Sequence, residues 1–312
     1  MTPLHLYSFS VILASVNEPK MEPQIHLGTS AFTAAGWHGA FYPAEMKSPD
    51  FLAFYARHFD SVEVDSSFYG CPSARTVANW AAKTPQNFIF CVKVPQIITH
   101  ENVLVDCDAE LNEFLRTMDI LGPKLGPMVF QFPFFNRNIF RDQHAFTDRL
   151  VPFLKKLPAG RKFAIELRNR EWLDAEVAGL LRQQEVALVL QDLPYMPGPA
   201  ELAEKFDPIT ADWTYIRWLG DRKGIEMRTV TWDKTVVDRT SELSSWVDFC
   251  YQVRKRGITV YAYANNHYAG HAPSTIKQFR DLWRKKGLPQ LAEPVSPKEE
   301  PARLTKEPSL FD

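Results

Sequence analysis

The sequence predicts one eight-stranded (β/α) barrel of the TIM type, an α/β fold, and three observations carry that reading. Short apolar, β-branched or aromatic runs recur eight times along the chain. Amphipathic stretches of helical length separate most of them. Polar and charged residues gather at the carboxyl ends of the runs, where such a barrel carries its chemistry.

The runs are IHLGTS (25–30), SVEVDSSF (61–68), FIFCVKVP (88–95), PMVFQFP (127–133), KFAIELR (162–168), VALVLQD (186–192), WTYIRWLG (213–220) and ITVYAYANN (258–266). Each has the length of a strand. Residues 48–59, 73–83, 108–121, 143–157, 170–184, 240–256 and 272–286 read as helices between them. In the first, Phe51, Phe54, Tyr55, His58 and Phe59 recur at helical spacing, with Ser48 as N-cap and Pro49 as first helical residue. The proline-rich stretch from Leu193 to Pro208 is irregular, so the unit after the sixth strand is expected to be degraded. Alternating strands and helices imply parallel pairing with right-handed crossovers. Eight units favour a closed barrel over a doubly wound sheet, and no GxGxxG or GxxxxGK[ST] phosphate loop is present.

The chain has 312 residues, 45% hydrophobic and 23% charged, with a net charge of −1. Such a chain buries a large core without disulfides or metals. No bulk charge draws it to nucleic acid or acidic membranes, so any anion site must be local. Cys71, Cys91, Cys107 and Cys250 show neither a CxxC pair nor zinc spacing, and read as structural thiols in a reducing, cytoplasmic setting. The apolar stretch Leu4 to Val16 lacks a basic leader and is too short to span a bilayer. Residues 1–23 therefore read as an N-terminal extension, 24–287 as the barrel and 288–312 as a flexible, disordered tail. No run of about 18 apolar residues marks a membrane span.

Reading each strand at its carboxyl end gives Thr29 and Ser30, Glu63 and Asp65, Lys93 with His100 beyond, and Gln131. Glu166 and Arg168, Gln191 and Asp192, Arg217, and Asn265, Asn266 and His267 follow. Strand parity puts Glu63 and Asp65 on one face opposite Val62 and Val64, and Glu166 with Arg168 opposite Ile165 and Leu167. The charges then point into the barrel or its mouth, where they need partners. Lys93, Arg168 and Arg217 form an arc suited to phosphate or carboxylate. Glu63, Glu166 and Asp192 form a carboxylate arc suited to general acid–base work or a divalent cation. Ser30, Tyr69, His100, Asn265 and Asn266 complete the candidate substrate-binding set. Glu63–Lys93 and Glu166–Arg168 are the alternative structural pairings, satisfied internal ion pairs; at the strand ends, Arg168, Arg217, Asn265 and Asn266 read first as functional. No HxH or HExxH motif supports a metal, so the cofactor stays unassigned.

The blocks GTSAFTAAGWHGAFYP (28–43), ARHFDSVEVDSSFYGCPS (56–73), NFIFCVKVPQIITH (87–100), FAIELRNREWL (163–173), QDLP (191–194), YIRWLG (215–220) and VYAYANNHYAGHAP (260–273) closely resemble the DUF72, or YecE-like, family. They span about residues 25–287 in order. The resemblance implies a (β/α)₈ barrel but no reaction, because the family is named for lacking an assigned activity. It maps signature positions onto Gly28, Ser30, Trp37, Tyr42, Glu63, Ser67, Phe68, Tyr69, Lys93, His100, Glu166, Arg168, Asp192, Arg217, Asn265 and Asn266. Two departures stand out. Ala31-Phe32-Thr33-Ala34 replaces the family's tryptophan–tyrosine pattern, and Asp65 stands where asparagine is common.

Three functions fit these residues. The first is an enzyme, a hydrolase or lyase, acting on a small phosphate-bearing anion. The second is a nucleic-acid maintenance protein whose terminal Leu310 and Phe311 dock onto a sliding clamp, or else tuck back onto the barrel. The third is a small-molecule binder in which Trp37, Phe41, Tyr42, Phe68 and Tyr69 stack a planar ligand.

Overall fold

The β-branched and aromatic runs become eight parallel strands in the computed structural model, which describes residues 23–292. They are β1 Ile25–Thr29, β2 Ser61–Val64, β3 Ile89–Lys93 and β4 Leu125–Gln131. β5 Phe163–Glu166, β6 Ala187–Asp192, β7 Trp213–Trp218 and β8 Thr259–Ala264 complete the sheet. Its order is β1-β8-β7-β6-β5-β4-β3-β2. The two end strands meet, with Asp65 N donating to Ser30 O at 3.4 Å. That seam requires glycine at position 28. A Cβ there would stand 2.1 Å from the Ser61 carbonyl oxygen and 3.1 Å from the Tyr263 ring.

Helices α1 Phe51–Tyr55, α2 Ala74–Ala82, α3 Asp108–Met118, α4 Gln143–Leu154 and α5 Ala175–Gln183 lie in the first five crossovers. Three start on side-chain caps: Ser73 accepts from Thr76 N, Asp142 from Ala145 N and Asp174 from Val177 N. The first helix is shorter than expected, and Ser48 is not its cap. Ser48–Asp50 form a 3₁₀ turn led by Lys47, because Pro49 suits the opening turn of either helix type. After β6 comes only α6 Pro199–Ala203, the degraded unit that the prolines foretold. α7 Arg222–Glu226, α8 Thr240–Lys255, α9 Asn266–Ala269 and α10 Ala272–Lys285 finish the outer layer.

Parity divides the core in two. Outward residues such as Val62, Val64, Phe130, Ile165, Leu190 and Ile216 pack under the helices. Inward residues including Cys91, Val129, Ala164, Val189, Tyr215 and Tyr263 plug the barrel and leave its carboxyl end for polar groups. The body extends past the last helix. Leu291 is buried, and Trp283 Nε1 donates to Pro289 O at 2.7 Å. Leu310 and Phe311 lie outside the described residues. Among the described residues, no helix is long and apolar enough to cross a membrane.

Candidate active site

The mouth is organised around one guanidinium. Trp213, Tyr215 and Arg217 alternate inward along β7, and Arg217, the last of them, is 3% exposed. Its Nε and Nη2 donate to Glu63 Oε1 at 3.1 and 2.8 Å. Nη2 also reaches Asp65 Oδ1 at 2.9 Å, and Nη1 reaches Glu166 Oε2 at 2.7 Å. Tyr215 OH donates to the second oxygen of Glu63 at 2.8 Å. Arg168 pairs with the second oxygen of Glu166, and its Nη1 donates to Tyr195 OH at 3.2 Å. Arg217 thus joins the carboxylate side chains instead of standing in a separate cationic arc. The Glu63–Lys93 pair is not formed, because both oxygens of Glu63 are taken by Arg217 and Tyr215.

Lys93 ends β3 with its Nζ 3.9 Å from the centre of the Phe68 ring. Among the described residues that ammonium has no hydrogen bond and no carboxylate oxygen within 4.0 Å. The loop after β2 holds Phe68 there: Ser67 Oγ donates to Val64 O at 2.8 Å or to Lys93 O at 2.7 Å. His100, carried on the π-helical turn Ile97–Glu101, meets the same ring edge-on at 4.8 Å. Its Nδ1 lies 2.8 Å from Thr99 Oγ1. Tyr69 is 79% exposed at the rim and packs edge-to-face on Phe68.

These environments push the two glutamates apart. Burial raises Glu63 to about 7, with the nearby charge of Asp65 adding to it and Arg217 opposing. Burial works the same way on Glu166, but Arg168, Arg217 and Lys93 overcome it and hold that carboxyl at about 2. Burial, then the charges of Lys93 and Arg168, lower His100 to about 4. Burial also lowers Lys93, against the attraction of Asp65, Glu166 and Glu63. Two carboxyls whose environments separate their pKa values are the pattern of an acid–base pair.

Two expected site residues, Asp192 and Asn266, stand elsewhere. Asp192 pairs in register with Trp218, not Arg217, and so points to the helix layer, away from Glu63 and Glu166. Its Oδ2 accepts from Trp246 Nε1 at 2.7 Å and Tyr268 OH at 2.9 Å. Gln191 is the inward residue of β6; its Nε2 donates to Leu167 O, and its Oε1 is buried without a partner. Asn266 Oδ1 accepts from Trp37 Nε1 at 3.1 Å and Ala272 N at 3.0 Å, tying the loop after β1 to the start of α10. Asn265 Nδ2 donates to Ser30 Oγ at 2.9 Å across the β1–β8 edge of the mouth. Its own Oδ1 caps α9 through His267 N.

Tyr215 and Tyr195 were not singled out from sequence. Tyr215 lies two residues before Arg217 on the same face, a signal that parity could have supplied. Tyr195 reaches Arg168 from the irregular stretch after β6, where nothing in the sequence marks it. Among the described residues no group of three or more His, Cys, Asp or Glu side chains is placed to hold a metal ion. The clustered carboxylates already face a guanidinium where a cation would sit.

Fold and site together define a TIM-barrel protein with a buried ionic cluster at the carboxyl end of its strands. The family described as "Protein of unknown function DUF72" matches residues 26–301, and the chain belongs to it. It is 33% identical over 125 residues to the UPF0759 protein YecE of Escherichia coli K12, covering 39% of this chain and 42% of that protein. In that match the chain spans less than half of the relative's length. It is 25% identical over 268 residues to the UPF0759 protein YunF of Bacillus subtilis 168, covering 79% and 92% of the two chains. A solved DUF72 family protein from Thermotoga maritima MSB8 shares the fold with a TM-score of 0.64 and 26% identity, over 84% of this chain and 99% of that one. A second, from Enterococcus faecalis V583, superposes with a TM-score of 0.64 at 22% identity, over 88% and 99%.

Proposed function

We propose that the barrel mouth binds a small anionic, phosphate-bearing substrate and acts on it, as a hydrolase or lyase, by carboxylate acid–base chemistry. One observation carries this reading: cationic nitrogens at the mouth are left without partners. Lys93 Nζ has no acceptor among the described residues, and Arg168 Nε is buried unpaired. A buried unsatisfied donor such as Arg168 Nε is rare, and an oxyanion supplies an acceptor to it and to the partly buried Lys93 ammonium. Arg217 moves from clamp to frame, since its donors are spent on Glu63, Asp65 and Glu166. Burial raises Glu63 while Arg168, Arg217 and Lys93 hold Glu166 low, and that separation gives the pair its division of labour. Ser30, Asn265, His100 and Tyr69 border the space in which the rest of the substrate lies. The four unpaired cysteines, three of them buried, suit a reducing compartment such as the cytoplasm.

Titration calorimetry with inorganic phosphate tests the anion site. Arg168→Ala and Lys93→Ala are each expected to weaken phosphate binding about tenfold or more, the loss of one charge-assisted contact. Equal affinity in wild type and both variants overturns the reading. A clamp-docking role through Leu310 and Phe311 finds no support in residues 23–292, and full-length chain that captures a sliding clamp is what would establish it.

A further inference from the structure

We propose that Lys93 is a carbonyl-trapping amine, forming a Schiff base with a small aldehyde or ketone that carries a phosphate or carboxylate group. The proposal rests on the anion-site reading above and deepens it by naming the substrate class and the attacking atom.

Position comes first. Lys93 closes β3 on the inward face of a barrel whose chemistry belongs at the carboxyl ends of strands. An internal lysine that serves only the fold ordinarily ends on a carboxylate or carbonyl oxygen, as Lys124 does on Ala81 O and Thr84 O. Lys93 has no such acceptor among the described residues and faces an aromatic ring instead. The carboxylates around it are already engaged by Arg217 and Arg168, so they supply a field without tying the nitrogen down. Burial shifts such an amine toward its neutral, nucleophilic form, the form that condenses with carbonyls, against the pull of the carboxylates.

The ring beneath the nitrogen suits the product as well. A protonated Schiff base keeps the positive charge of the ammonium it replaces. The Phe68 face and the surrounding carboxylates therefore stabilise both ends of the reaction. The unpaired Arg168 Nε supplies a donor for the substrate's anionic group, which fixes the carbonyl against Lys93.

A proton carrier is also at hand. His100 touches the same phenyl ring from its edge, and its Nδ1 is occupied by Thr99, while its Nε2 has no hydrogen-bond partner among the described residues. The step balances without any added oxidant or reductant. His100 Nε2 first takes a proton from the Lys93 ammonium; the nitrogen lone pair then adds to the carbonyl carbon, the C=O π pair moves to oxygen, and that oxygen receives the proton from His100. His100 Nε2 next takes a second proton from the nitrogen and returns it to the carbinolamine hydroxyl. The C–O bond then breaks, water leaves and the C=N bond forms, so that ammonium and carbonyl give protonated imine and water, with His100 returned to its starting state.

Reductive trapping tests this. Full-length chain is incubated with dihydroxyacetone phosphate, or separately with pyruvate, and then treated with sodium borohydride. Intact-mass measurement and peptide mapping are expected to show one adduct, of the probe's mass less one oxygen atom, on Lys93. Lys93→Arg keeps the charge but not the nucleophile, and it is expected to abolish the adduct while its circular dichroism and melting midpoint show a folded chain. His100→Gln is expected to slow adduct formation by about 100-fold, within the range of general acid–base catalysis. An adduct spread over surface lysines, or unchanged in Lys93→Arg, overturns the proposal. Phosphate binding without any adduct overturns the Schiff base and leaves the anion site standing. Absence of both phosphate binding and adduct overturns the two together.

Discussion

Arg217 Nε and Nη2 converge on one oxygen of Glu63 from 154 residues away, at 3.1 and 2.8 Å, and both residues are buried. Nothing local to either residue requires the other. β2, β5 and β7 each carry a charged inward residue, and Arg217 faces Glu63, Asp65 and Glu166, with Arg168 a second cation on Glu166. Charges buried this deeply are tolerated only as a set.

Removing the cation therefore leaves carboxylates buried without compensation. Arg217→Met is expected to destabilise the fold by about 3–5 kcal/mol, the range for breaking a buried pair from one side. Glu63→Gln, which keeps an acceptor for the guanidinium, is expected to lose less. Urea denaturation of the two variants beside wild type measures both, and an Arg217→Met chain as stable as Glu63→Gln contradicts the account.

The cluster also has a pH signature. Glu63 is raised from 4.5 to about 7, so its contribution to stability is full below 4.5 and is lost as pH rises through 7. Glu166, lowered to about 2, behaves oppositely: its contribution is present above 4.5 and is lost as pH falls through 2. His100, lowered from 6.5 to about 4, also adds stability as pH rises across that interval. The difference between wild type and Glu63→Gln isolates Glu63. Wild type is expected to lose stability relative to the variant on going from pH 4.5 to 7.5, a range spanning both values cited for that carboxyl. Melting midpoints in a pH series read it, and a constant difference across the series removes the assignment.

The fold was legible because parallel strands buried on both faces appear as apolar runs, and all eight were marked that way. Parity within a strand was legible too, so Glu63 with Asp65, and Glu166 with Arg168, were rightly turned to one side. What sequence did not show is which strands' residues meet across the barrel. Closure and stagger decide that, and they brought Arg217 to Glu63 while leaving Lys93 on Phe68. Asp192 shows the other failure. It stands next to Gln191 at the end of β6, and a one-residue difference in parity sends it outward. Asn266 shows a third, since its bond to Trp37 spans 229 residues and looks like a functional asparagine until both ends are seen.

Asp192 gives a prediction that separates the inside of the barrel from the outside. Asp192→Ala removes the acceptor shared by Trp246 Nε1 and Tyr268 OH, and it is expected to destabilise by about 1–3 kcal/mol. Phosphate affinity measured on the folded variant is expected to equal wild type, because that carboxylate faces the helices. A clear fall in phosphate affinity at unchanged stability returns Asp192 to the mouth.

The seam between β1 and β2 is the narrowest tolerance in the barrel. Gly28 places its missing Cβ 2.1 Å from Ser61 O, a backbone atom that cannot swing aside as a side chain would. Gly28→Ala must separate the two strands, and the Asp65 N to Ser30 O contact at 3.4 Å is the first to open. Overpacking of this kind costs about 1–3 kcal/mol, and more where backbone must move. Asp65 is also a partner of Arg217, so the displacement is expected to reach the mouth and weaken phosphate binding together with stability. Denaturation and calorimetry on the one variant check both. A Gly28→Ala chain that is destabilised but binds phosphate as tightly as wild type shows that the seam and the ionic cluster are mechanically independent.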